Sequence, residues 1–154
     1  MRHPVLGDLA TDEQSPRSLK GQIPYGARKL KLRIDPDSAP LDEAISLAVG
    51  IATSLPTIDV LAKTAIINDL LDSYNSGWNE YERARGDGTF ESVRNPKLVP
   101  DEFRSKFTLD AIQIYGDSCV QLWYDDSGLF WGHSIFVTSF KGVDFSEAEA
   151  QMFG

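Results

Sequence analysis

Residues 28–34 read RKLKLRI. Leu30, Leu32 and Ile34 alternate with Lys29, Lys31 and Arg33, and a period of two divides these side chains into an apolar and a basic face only in an extended strand. Such a strand must border a core, with its leucine side packed and its cations in water. It sets a half-buried sheet as the foundation of the fold.

The preceding residues extend the pattern. VLGDLA carries Val5, Leu6 and Leu9, and LKGQIPY puts Leu19, Ile23 and Tyr25 on one parity. Pro24 has no N–H to give, which places it at a sheet edge or a strand end. Strands therefore fill about residues 4–34, and Asp35-Pro36-Asp37-Ser38 ends them.

The spacing then lengthens to three and four. Leu41, Ala44, Ile45, Ala48, Val49, Ala52 and Leu55 form an apolar face, with Asp42 and Glu43 at the positive end of the helix dipole. Gly50 lies within that face, as a close helix contact would require. After Pro56, Thr57 is a candidate N-cap for a second helix. Its stripe is Ile58, Leu61, Ala65, Leu70 or Leu71, Tyr74 and Trp78, so the helices cover about residues 40–81. The short link predicts antiparallel neighbours. Polar residues 83–99 predict a long loop, and Pro100–Lys106 a short helix.

Strand signals return over about 107–153, in FTLDAIQIY, CVQLWY, WGHSIFVTSF and EAEAQMFG, separated by turns. Strands, then helices, then strands define an α+β class. The expected architecture is antiparallel sheet from the N-terminal strands and C-terminal hairpins, packed on an antiparallel helix pair. Its 154 residues suit one domain, 1–154. Trp123-Tyr124 and Phe130-Trp131 are adjacent aromatics, which point to opposite faces of a strand. One face meets the helices; a loop, the N-terminal strands or a partner must cover the other.

The net charge is −8, unevenly placed: residues 1–34 carry seven Lys/Arg against three acids, +4, which leaves −12 for the rest. That balance disfavours nucleic acid as a partner and favours a basic protein. One cysteine, Cys119, and no secretory or membrane-length apolar run lead to the expectation of a cytoplasmic protein without a membrane partner.

His133 is the candidate for chemistry. A general base needs a carboxylate to orient it, and Asp125 or Asp126 in the preceding turn are the nearest in sequence. Ser134, Ser127 or Cys119 would be the nucleophile of a hydrolase. Against this, His133 lies among large apolar residues, where a ring donating to a backbone carbonyl is the simpler reading. The two histidines and one cysteine have no metal-ligand spacing, and no cofactor motif is present.

WYDDSGLFWGHSIFV, with VPDEFRSKFTLDAIQIYG and YNSGWNEY before it, resembles the bacterial domain of unknown function 2262 family over about residues 57–154. The resemblance implies a bacterial cytoplasmic protein, some of whose relatives look like immunity proteins encoded beside secreted toxins. It implies no catalytic residues. Three functions follow as expectations. The first is a non-catalytic binding protein that neutralises a basic toxin through Asp87, Asp101, Glu102, Asp125 and Asp126, with Trp131 as an aromatic contact. The others are a hydrolase built on His133 and a homo-oligomeric structural module.

Overall fold

The computed structural model describes residues 1–154. Strands β1 (Arg2–His3), β2 (Gly7–Asp8), β3 (Ala10–Asp12), β4 (Ser15–Tyr25) and β5 (Arg28–Asp35) come first. Helices α1 (Leu41–Thr53) and α2 (Leu55–Ser73) follow, and α2 runs into a π-helical turn, Tyr74–Trp78. Strands β6 (Glu80–Ala84) and β7 (Phe90–Arg94), helix α3 (Pro100–Arg104), and strands β8 (Thr108–Tyr115), β9 (Cys119–Asp125), β10 (Ser134–Ser139) and β11 (Glu149–Phe153) complete the chain.

Seven strands make one sheet, in the order β11-β10-β9-β8-β5-β4-β3. Every pairing is antiparallel except β5 with β8, which run parallel and join the N-terminal and C-terminal halves. A parallel pair needs a long crossover, and the two helices supply it. The fold is thus mixed α+β, as the order of sequence patterns predicts.

The alternation in β5 holds. Leu30, Leu32 and Ile34 are buried, whereas Lys29 and Lys31 are exposed. Each buried side chain of this size contributes about 1.5–3 kcal/mol. They belong to one core with Ala44, Leu47, Ala48 and Ile51 of α1 and Ile58, Ala62, Ile66 and Leu70 of α2. α1 lies over β5 and β8, and α2 over β10 and β11.

Four local expectations are corrected. The helices meet at 85°, so they are not antiparallel; the link is the single residue Ser54, too short for a reversal. Pro56 lies in the first turn of α2 rather than between the helices, so Thr57 is no N-cap. Leu61 is exposed, and Ala62 takes its place in the core. Part of the loop expected over 83–99 is an antiparallel hairpin of β6 and β7, with Glu80 opposite Arg94 and Arg83 opposite Glu91. Ion pairs link both couples, Arg94–Glu80 at 2.6 Å and Arg83–Glu91 at 2.5 Å. This hairpin forms its own two-stranded sheet, and most of its residues are exposed.

Gly50 makes its close approach to a loop and not to a helix: a Cβ there would come within 2.9 Å of the Val143 side chain, between β10 and β11. At the outer edge of the sheet, the Asp69 carboxylate of α2 accepts the N–H of Ala150 on β11 at 2.8 Å.

Candidate functional site

His133 does not lie in a strand. Trp131 and Gly132 both adopt left-handed backbone, with φ of 56° and 85°, and the strand starts only at Ser134. Asp126 builds this reversal. Its buried carboxylate accepts the N–H groups of Gly128 and Phe130, both at 2.9 Å. His133 is half-buried. Its Nδ1 donates to the Phe130 carbonyl at 2.7 Å, and its ring sits edge-on to Trp78 at 5.1 Å. That bond leaves Nε2 as the acceptor tautomer.

Asp125, exposed at the end of β9, borders with His133 and Ser134 a shallow depression of about 290 Å³, which Asp110 also lines. No carboxylate hydrogen-bonds the His133 ring. Ser127 Oγ donates to the Lys106 carbonyl at 2.8 Å. Cys119 starts the strand that Asp125 ends, about 20 Å away by strand rise, and burial raises its thiol pKa. No three His, Cys, Asp or Glu side chains converge to hold a metal ion.

The acids expected to form one binding surface lie on separate elements. Asp87 is in the β6–β7 turn and accepts from Thr89, Asp101 and Glu102 open α3, and Asp126 is buried. Trp131 is 54% exposed and packs on Trp78 at 4.6 Å.

Two features escape a reading for motifs. The first is a buried carboxylate: Asp59 of α2 accepts from Tyr124 at 2.5 Å and Tyr25 at 2.9 Å, and Lys63 lies 3.5 Å away. Its signal is the register Leu55, Asp59, Ala62, Ile66, which sets an acid on the buried face of a helix. Burial first, then Asp59, pushes the Tyr25 hydroxyl up to about 12, and the same causes raise Tyr124. In the unfolded chain tyrosine ionises near pH 10. The pair therefore stabilises the fold fully below about pH 10 and loses that contribution as pH climbs towards 12. Alkaline unfolding of the wild type and Tyr124→Phe, followed by tyrosinate absorbance, checks this. A wild type of constant stability up to pH 12 would contradict it.

The second feature is the sheet face turned away from the helices. Register aligns Lys20, Arg33, Gln113, Gln121 and Thr138 in one row across five strands, and Gln22, Lys31, Ala111, Trp123 and Phe136 in the next. Phe136 is the only buried apolar side chain outside the core, and it stacks on Trp123 at 4.7 Å. Trp123 Nε1 and Thr138 Oγ1 are buried without a hydrogen-bond partner. A groove of about 450 Å³ crosses the face beside Lys20, Gln22, Lys31, Arg33 and Gln113. Its sequence signal is the amides alternating with core residues, Gln113 between Ile112 and Ile114 and Gln121 between Val120 and Leu122.

Fold and site together define a two-layer α+β protein with helices on one sheet face and a polar, aromatic-bearing face opposite. The family described as uncharacterised protein conserved in bacteria, DUF2262, matches residues 3–149, and the chain belongs to it. This agrees with the resemblance of the C-terminal half and extends it through the first strands. No curated protein and no solved structure matches the chain.

Proposed function

We propose that this chain is a cytoplasmic, non-catalytic bacterial binding protein of the immunity type, whose acidic side docks a basic protein toxin. The observation that carries the reading is the segregation of charge. Residues 1–34 hold +4 and residues 35–154 hold −12. Helices α1 and α2 carry Asp42, Glu43, Asp59, Asp69 and Asp72 against one cation, Lys63, which pairs with Asp59. Complementary charge accelerates encounter, by roughly ten-fold or more at low salt. The test co-expresses the chain with the product of a neighbouring toxin-like gene. Expected are rescue of growth and a complex whose association rate drops at least about tenfold in Asp101→Lys with Glu102→Lys. Neither rescue nor co-elution would sink the reading.

The open Nε2 of His133 above a depression bordered by Asp125 favours a second reading, a hydrolase. Assays on ester, amide and phosphoester substrates decide it. Turnover abolished by His133→Gln supports catalysis, and no turnover removes it.

A further inference from the structure

We infer that the sheet face turned away from the helices binds single-stranded nucleic acid. The net charge of −8 disfavours such a partner for the surface as a whole, but this face differs from the rest. Lys20, Lys29 and Lys31 are exposed on it, and none has a carboxylate partner; the remaining cation, Arg33, is paired with Asp12 at 3.1 Å and Asp35 at 3.6 Å. Alternate residues along a strand are about 7 Å apart, so Lys29, Lys31 and Arg33 form a line of cations along β5. A phosphodiester backbone repeats its charge along one line in the same way.

The aromatic pair lies to one side of that line. Lys31 faces Ala111, and Ala111 faces Trp123, so the indole stands two strands from the lysine, about 10 Å away. The small side chain of Ala111 leaves a low point between them. A nucleotide spans such a gap with its phosphate at the lysine and its base at the aromatic pair. Gln22, Gln113 and Gln121 flank the path with amide donors and acceptors, as base edges require.

Two polar atoms of this face also lack partners. Buried polar groups nearly always have partners, yet two of the three buried side-chain atoms that lack one, Trp123 Nε1 and Thr138 Oγ1, belong to this face. Thr138 itself is 5% exposed. Both atoms are covered by their neighbours and lie beneath the surface that a nucleotide would touch. An acidic peptide would match the lysines but would leave the aromatic pair and the amide row without a role. The acids that border the path are held elsewhere: Asp8, beside Lys20 and Lys29, pairs with Arg2, Asp110 pairs with Arg28, and Asp125 ends β9 beyond Trp123.

The test is fluorescence anisotropy of a labelled oligothymidylate about 12 nucleotides long, titrated with the full chain over a range of salt. Saturable binding is expected, with quenching of tryptophan emission and a log–log salt slope of about −2, the value for three neutralised phosphates on a single strand. Trp123→Ala should weaken binding about 5- to 150-fold. Lys31→Ala, at an exposed position that leaves the fold intact, should weaken it and flatten the slope by about 0.7. Three results would overturn the inference: no saturable binding at low salt, equal affinity for a duplex or polyglutamate, or Lys31→Ala without effect. Complete displacement by an equal concentration of free thymidine triphosphate would also overturn it, because the site would then hold a mononucleotide.

Discussion

Asp59→Ala is expected to lower the unfolding free energy by about 2–5 kcal/mol, because two tyrosine hydroxyls lose their acceptor at about 1–3 kcal/mol each. The substitution takes the acceptor from two tyrosines at once. Tyr124 is 6% exposed, and its hydroxyl bonds only to Asp59, so water cannot replace the lost bond cheaply. Tyr25 and Tyr124 come from β4 and β9, so the carboxylate ties α2 to two separate strands of the sheet. Asp59→Asn keeps an acceptor oxygen and should cost less than half as much. Urea titrations measure both. The midpoint should fall with an unchanged slope, as for loss of stability without a change of fold. If the alanine variant lost under about 1 kcal/mol, the network would be ornamental.

The second large effect is expected at Phe130. Its ring is fully buried and meets Tyr74 at 5.8 Å, Trp78 at 5.5 Å and Phe103 at 6.3 Å. Phe130→Ala should cost about 3–5 kcal/mol, because a cavity opens among rigid aromatic neighbours. It should also loosen the His133 turn, whose ring hangs on the Phe130 carbonyl. Near-ultraviolet circular dichroism from Trp78 and Trp131 should therefore weaken in the folded variant. Trp131→Ala is the comparison. That side chain is 54% exposed and its backbone already sits at positive φ, so its loss should cost under about 1 kcal/mol. Equal losses at the two positions would mean that the cluster does not organise the turn.

The legible parts of the fold were those where one face of an element is apolar. RKLKLRI, AIQIY and CVQLWY announce β5, β8 and β9 because Leu, Ile and Val recur at every second residue. The β6–β7 hairpin was not legible, since Glu80, Arg83, Glu91 and Arg94 pair by charge across strands and leave no apolar alternation. The parallel pairing of β5 with β8 joins residues eighty positions apart, and no local pattern encodes it. The 85° helix angle depends on Ser54 alone. At the candidate sites, the bond from His133 to a backbone carbonyl agrees with the simpler reading of that residue. Asp126, expected on a surface, is buried because its carboxylate organises the turn.

Asp69 has a consequence for assembly. The final strand ends the seven-stranded sheet, and an unsealed margin would recruit the same margin of a neighbour. A helix carboxylate already fills the Ala150 amide, and three-residue β3 offers little template on the far side. At the β11 end, a neighbour's strand would find one donor fewer to pair with. Strand-to-strand joining through this margin would first have to pull the carboxylate off its amide, so the helix layer doubles as a guard for the sheet beneath it.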